Sequence, residues 1–351
     1  MALRQRLIGL GLGFFGATGA HRLAAPFTRG PGAILMLHRV ADVAPALPGY
    51  APNAGLTVAP AFLEAVLTRL RELGFDIVTL DEAAARLAGS RLDQPFVALT
   101  FDDGYRDTLQ IAAPILRRCA APYTVYVTPG FADRAARLWW CELEDAIAAL
   151  DRVDIEIAGE RLRLPARDAR EKSAAFETVY WRLRARPEPE LLDAVAALAQ
   201  AAGVDPARYP RELCMDWDEL ATLAADPLCA IGAHTMTHPR LATLSVEAAR
   251  REMAESADAL AGRLGRPVRH FAYPVGDPTS AGEREFALAR DIGFATAVTT
   301  RPGMLFPDHA RRMSALPRVS VSGAWQSIAC LDILLSGAPF AIWNRGLRVA
   351  A

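Results

Sequence analysis

Short apolar runs recur along most of the chain, and between them apolar residues return at every third or fourth position. The runs at 33–37, 76–79, 96–101, 124–128, 228–233, 268–273, 295–299 and 318–321 predict buried strands, being rich in Val, Ile, Phe and Thr and poor in charge. Over 61–73 the residues Phe62, Val66, Leu70 and Leu73 keep helical spacing, with Gly74 placed to end the element. Over 246–264 the stripe Val246, Ala249, Met253, Ala257, Leu260 and Leu264 is framed by Ser245 as N-cap and Gly265 just past the C-terminus. Such alternation predicts parallel strands joined by helical crossovers, in an α/β barrel or an open sheet.

The rhythm breaks between 134 and 211. That stretch is richer in charge and alanine, with helical patterns at 142–150 and 191–201. Between them, 154–164 turns at Ala158-Gly159-Glu160 and predicts a hairpin. It holds no cluster of catalytic residue types and is expected to be an insertion, a lid or substrate-contact subdomain. The apolar 325–347 region, interrupted by Gly337 and Pro339, predicts closing helices. The expected organisation is thus an N-terminal segment at 1–30, a main domain at 31–325 carrying the insertion, and a C-terminal segment at 326–351.

Composition narrows the class. With 351 residues, 52% hydrophobic and 23% charged, the chain buries a sizeable core and is neither disordered nor fibrous. A formal net charge of −1 offers no electrostatic footprint for nucleic acid, and none is expected as a partner. Five cysteines without a Cys-x-x-Cys pair read as reduced thiols of a cytosolic setting. Arg4 and Arg6 precede an apolar stretch, 7–20, that carries five glycines and is too short to span a bilayer. With no clean small-x-small cleavage site, it reads as a helix packed on the domain or resting on a membrane surface, with a cleaved secretory signal as the alternative. The expected place is therefore the cytoplasm, at the inner face of the membrane, with periplasmic export the alternative. Gly11-x-Gly13-x-x-Gly16 in this stretch lacks the preceding strand that a dinucleotide loop requires.

Three segments carry candidate chemistry. The first is Thr100-Phe101-Asp102-Asp103-Gly104-Tyr105, at the end of a predicted strand. Two carboxylates there are costly to bury without a cation or hydrogen bonds, and α/β folds build their sites at that end of the strands. The bland alternative is a turn that only caps the next helix. The second is His234-Thr235-Met236-Thr237-His238, after the run at 228–233. A separation of four predicts both imidazoles on one side of a helical turn, where they can meet one metal ion. Two imidazoles and a carboxylate leave a position open for water, the composition of a hydrolytic site. That set favours Zn²⁺ and is compatible with Co²⁺, Ni²⁺ or Mn²⁺. The third is Phe271-Ala272-Tyr273-Pro274-Val275-Gly276, whose turn can fix a backbone N–H pointing inward, as an oxyanion hole needs.

Together these segments resemble the polysaccharide deacetylase family, which includes the nodulation-type chitooligosaccharide deacetylases. The resemblance covers about 33–321, with the insertion outside it. It implies a distorted (β/α) barrel with a metal at the C-terminal face of its strands. By the same resemblance Asp103, His234 and His238 are the metal ligands, Asp102 is the general base that activates the attacking water, and the Val275 N–H helps to stabilise the oxyanion.

Two departures from the family pattern matter. The Leu-x-His segment that supplies the general acid in many members is missing, and His309 lies in a Pro- and Arg-rich loop. His38, following the apolar run at 33–37, is the better acid and resembles a subgroup, exemplified by poly-N-acetylglucosamine deacetylases, whose catalytic His precedes the Asp-Asp motif. Ala272 and Val275 stand where the family carries an Arg that pairs with the catalytic Asp and a Tyr. Arg318, in Leu316-Pro317-Arg318-Val319-Ser320, is expected to replace that Arg. Tyr105, Tyr273, Pro274 and Trp217 are the expected substrate contacts, with Trp217 at the rim; Trp139 and Trp140 are further aromatics able to stack on a sugar. The function implied is a metal-dependent hydrolase that removes N-acetyl groups from amino sugars of an oligo- or polysaccharide. The alternatives are a deacylase of a lipid-linked amino sugar, a non-catalytic carbohydrate-binding relative, and a deacetylase of some non-sugar amide.

Overall fold

The computed structural model describes residues 2–42, 45, 47–89 and 93–349, with side chains from residue 9 onward. The outermost residues of the two terminal segments, 1 and 350–351, and the side chains of Arg4 and Arg6 lie outside the described residues. The strands are β1 (Gly32–Leu37), β2 (Arg39–Val40), β3 (Thr57–Val58), β4 (Asp76–Val78), β5 (Phe96–Phe101), β6 (Tyr123–Val127), β7 (Arg152–Ile157), β8 (Glu160–Pro165), β9 (Cys229–Ala233), β10 (His270–Ala272), β11 (Thr296–Pro302) and β12 (Leu316–Ser320). β1, β12, β11, β10, β9, β6 and β5 pair in that order, all parallel. β5 pairs back onto β1 from Gly32↔Phe96 to Leu37↔Phe101, which closes a seven-stranded barrel ringed by helices. The other edge of β5 is shared: its first half pairs with β4 and its second half with β6. The eight runs read from the sequence are the eight strands of this sheet. The short β2–β3 ladder leaves no readable pattern, being two residues long on each side.

Side-chain alternation sorts the barrel into an inside and an outside. Ile34, Ala98, Tyr126, Ala272, Val298 and Leu316 form one buried cluster. Their neighbours Leu35, Leu99, Val125, Phe271 and Ala297 belong to another, with Leu63, Val66 and Leu70 of the helix Pro60–Glu72 and Met253 and Leu260 of the helix Val246–Leu264. Counting on by twos, the inside series of β1, β5 and β12 reach His38, Asp102 and Arg318. These three side chains are therefore placed by strand parity.

The insertion follows β6 and has a hydrophobic cluster of its own, including Leu143, Ile147, Phe176, Leu183, Leu191 and Leu198. It consists of the helix Trp139–Ala149, the β7–β8 hairpin, and the helices Ala169–Arg184, Glu188–Ala202 and Arg208–Leu213. Asp168 caps the second of these by accepting the Glu171 N–H. At the opposite end of the chain, the helices Ile328–Leu335 and Ala338–Trp343 pack with the N-terminal helices Ala2–Thr18 and Ala20–Thr28. Leu12, Phe15, Ile333 and Ala338 are buried between them. Gly337 makes this approach feasible, since a Cβ there would collide with the Thr28 carbonyl, and its φ of 74° favours glycine as well. No described helix is long and apolar enough to cross a membrane. The Gly11–Gly16 pattern lies within a helix and forms no phosphate loop. All five cysteines are free.

Candidate active site

Thr100 and Phe101 end β5, and the chain turns at Asp103 (φ 70°) and Gly104 (φ 64°). Asp102, buried at the barrel mouth, meets Arg318 in a bidentate pair: Nη1 donates to Oδ1 and Nη2 to Oδ2, each at 2.7 Å. Arg318 is itself held by the Thr299 carbonyl (2.8 Å) and Thr100 Oγ1 (3.2 Å). The expected replacement for the missing orienting Arg is thus in contact with Asp102. Burial alone would raise the Asp102 carboxyl, but the charge and hydrogen bonds of Arg318 outweigh it and hold the group below its ordinary value. His38 Nε2 lies 3.9 Å from Asp102 Oδ2.

Asp103 turns the other way, toward the histidines. Its Oδ1 is 3.5 Å from His234 Nε2 and 3.3 Å from His238 Nε2, and the ligand atoms of the three residues lie within 4.8 Å of one another. His234 Nδ1 sits 2.7 Å from the Ala272 carbonyl, which can only accept, so the proton is on Nδ1 and the Nε2 lone pair faces the cluster. Burial lowers the basicity of His238 and keeps its ring neutral, with Asp103 opposing. Its Nδ1 is buried without a hydrogen-bond partner. One carboxylate oxygen and two imidazole Nε2 atoms converging within 4.8 Å, with His234 Nδ1 committed to a carbonyl, make a donor set that fits a divalent metal.

The histidine segment is not the helical turn that its spacing predicts. Thr235 (φ 63°) and His238 (φ 67°) are left-handed, which breaks any helix. The loop is held instead by side chains. Thr235 Oγ1 accepts the His238 N–H at 3.0 Å. Glu252, on the outer helix Val246–Leu264, accepts the N–H groups of Met236 and Thr237 and the Thr237 hydroxyl at 2.8–3.0 Å. These contacts offset left-handed conformations that cost about 1–3 kcal/mol each. Glu252 carries no sequence signal, because it reads as one more polar residue on an amphipathic helix.

Across the mouth, Val275 has φ 62° and Gly276 φ 61°. A β-branched residue in that region is a true outlier. Here the turn is pinned by Thr300, whose hydroxyl donates to the Val275 carbonyl at 2.6 Å and whose N–H donates to the Gly276 carbonyl at 3.1 Å. Val275, His38, Asp102, Asp103, His234 and His238 all line one cleft of about 580 Å³.

The sequence profile of the family described as polysaccharide deacetylase matches residues 89–297. The chain belongs to the polysaccharide deacetylase family. It is accordingly an enzyme, an amide-hydrolysing N-deacetylase whose substrate is an N-acetylated polysaccharide. No curated protein matches the chain. Among solved structures, the Streptococcus pyogenes deacetylase PplD in complex with acetate is 18% identical with a TM-score of 0.57, over 87% of this chain and 96% of that one. IcaB from Ammonifex degensii is 19% identical with a TM-score of 0.53, again over 87% and 96%. A de-N-acetylase from Aggregatibacter actinomycetemcomitans is 14% identical with a TM-score of 0.54, over 86% and 99%. At these identities the likeness is one of fold, a distorted (β/α) barrel.

Four expected substrate contacts of this deacetylase do not reach the cleft. Tyr273 follows the inward Ala272, so alternation turns it outward, where its hydroxyl donates to the Ser314 carbonyl at 2.7 Å. Pro274 is buried beside it. Tyr105 is wholly buried beneath the insertion and accepts the Trp140 indole N–H at 3.2 Å. Trp217 lies on the outside of the barrel, donating to Asp133 at 2.7 Å with Arg263 over its ring. The aromatic wall of the cleft comes from the insertion instead: Trp139, Trp140, Tyr180 and Trp181, with Arg184. Trp140 packs on the His238 ring at 5.1 Å. Arg184 lies over Tyr180 and Trp181 and bonds Asp277 at 2.9 Å, tying the wall to the Val275 turn. His309 is buried away from the cleft and accepts the Phe306 N–H at 2.9 Å, a structural role.

Proposed function

We propose that this polysaccharide deacetylase is metal-dependent and acts on the acetamido groups of amino sugars in an oligo- or polysaccharide of the N-acetylglucosamine type. The observation that carries the reading is the split of two adjacent carboxylates, Asp103 toward two imidazoles and Asp102 toward a buried arginine. Asp103, His234 and His238 would hold the metal, and the N₂O set suits Zn²⁺ first among divalent ions. When bound, such an ion supplies Lewis-acid polarisation of the acetyl carbonyl and makes water more acidic. Arg318 keeps Asp102 ionised and fixed; each carboxylate oxygen retains a further lone pair, so Asp102 can take a proton from the attacking water. His38, beside Asp102 at the cleft mouth, gives a proton to the departing amine. The Val275 N–H serves the developing oxyanion. The exposed Trp181 and half-buried Tyr180 offer faces on which sugar rings stack.

The test is acetate release from N-acetylglucosamine oligomers by purified protein, after chelation and after re-addition of single metals, with Asp102→Asn alongside. Release restored by metal, and reduced by about 10²–10⁴-fold in the variant, is the expected result. A protein that binds no metal at equilibrium dialysis would overturn the metal-dependent reading. One that binds metal stoichiometrically and releases no acetate from any oligomer would overturn the substrate.

A further inference from the structure

Nine large hydrophobic side chains are exposed among the described residues, and seven of them, Leu10, Phe14, Leu23, Phe27, Ile342, Trp343 and Leu347, lie in the two terminal segments. Those segments are not separate tails. The helix Ala20–Thr28 packs on both Ala2–Thr18 and Ala338–Trp343, so N- and C-terminus build one surface. On the first helix Leu10 and Phe14 share a stripe roughly opposite the buried Leu12 and Phe15. Leu23 and Phe27 repeat the four-residue spacing on the next helix, at 82% and 76% exposure. A monomer has no reason to leave so many large apolar groups together in water.

Charge separates the candidate occupants. The whole chain is nearly neutral, yet residues 1–31 contain four arginines and no acidic residue, and 333–351 contain two arginines and none. Arg22, Arg345 and Arg348, in these same two segments, are exposed. A second copy of the chain would bring the same positive charge against it, whereas an anionic lipid surface complements it. No described helix can span a bilayer, which leaves lying on the surface. Trp343 belongs both to this face and, with Asn344, to the wall of the cleft.

We propose that the composite surface of the two N-terminal helices and the helix Ala338–Trp343 docks on an anionic lipid bilayer, so that the cleft opens beside the headgroups and takes glycan held at the membrane. The docking itself does not depend on the deacetylase reading.

The experiment is co-sedimentation of the full chain with phosphatidylglycerol-containing and pure phosphatidylcholine vesicles. Binding to the anionic vesicles, weakening as salt rises, is expected. Leu23→Glu with Phe27→Glu should lower partitioning by roughly tenfold or more, while thermal melting and acetate release from soluble oligomers stay at wild-type values. Arg345→Glu with Arg348→Glu should do the same for the anionic vesicles. Equal binding to both lipids, no binding to either, or an unaffected Leu23/Phe27 variant would each overturn the proposal. So would a wild-type dimer that this variant makes monomeric without any vesicle binding. Because sedimentation needs no substrate, an inactive protein that still binds vesicles would count against the proposed function alone.

Discussion

The barrel mouth and the insertion wall face each other across one cleft and are built on opposite principles. At the mouth the groups are polar and mostly held by specific contacts: Asp102 by Arg318, His234 by the Ala272 carbonyl, the histidine loop by Glu252. The wall is aromatic and graded in exposure, from the buried Trp139 and Trp140 to Trp181 at 39%. It is fixed to the barrel through Arg184 and Asp277. The difference teaches that positioning for chemistry demands over-determined polar contacts, where each broken bond leaves a buried charge. An aromatic wall needs only flat apolar faces, and single losses there are shared.

The sharpest way to break this contrast is Arg318→Ala. It leaves the Asp102 carboxylate buried without its partner, so stability should fall by about 3–5 kcal/mol in urea melts, and kcat should fall with it while metal content is retained. Unchanged stability and kinetics would mean that the mouth is as forgiving as the wall.

Less disruptive is Trp181→Ala. Melting should move only slightly, because the side chain sits at the rim of the wall with 39% of its surface exposed, and kcat should hold. KM for longer oligomers should rise about three- to tenfold, as expected for one lost stacking face. An equal loss in kcat would place Trp181 among the groups that position the reaction.

The smallest effect separates the two regions by pH. Glu144, on the helix Trp139–Ala149, accepts a hydrogen bond from Asn53 at 2.7 Å, and burial pushes its carboxyl up to about 7. A folded-state value above the ordinary 4.5 means that the native protein holds the proton more tightly than the unfolded chain. Stability from this group is therefore complete below about pH 4.5 and is lost as pH rises toward 7. Glu144→Gln should flatten that part of the Tm-against-pH curve without touching the Asp102–Arg318 pair. A curve of unchanged slope would show that Glu144 ionises freely.

The barrel was legible because parallel strands buried on both sides read as unbroken apolar runs, and parity then places His38, Asp102 and Arg318 together. The histidine pair was legible as a pair but not in its local form. Two left-handed residues stabilised by a distant Glu252 leave no periodic trace. The wall was legible only in part: the insertion reads as a substrate-contact subdomain and Trp139 and Trp140 as aromatics able to stack on a sugar, whereas Tyr180 and Trp181 are unmarked. In the helix Ala169–Arg184 an inward Phe176 and a cleft-facing Tyr180 follow the same amphipathic rule, and the sequence does not mark which apolar stripe meets solvent. Tyr105 and Tyr273 show the reverse error: adjacency to a motif placed them in the cleft, while alternation and the overlying insertion bury them.

The Asp102–Arg318 pair joins positions 216 residues apart, one just past the fifth strand of the chain and one in the last. During synthesis the carboxylate leaves the ribosome long before its guanidinium exists, and the barrel cannot close until that same last strand takes its place between β1 and β11. Closure and the arming of the carboxylate are thus a single late event. A chain that terminates early carries the Asp-Asp motif and both histidines, yet has neither a closed barrel nor an arginine to arm it.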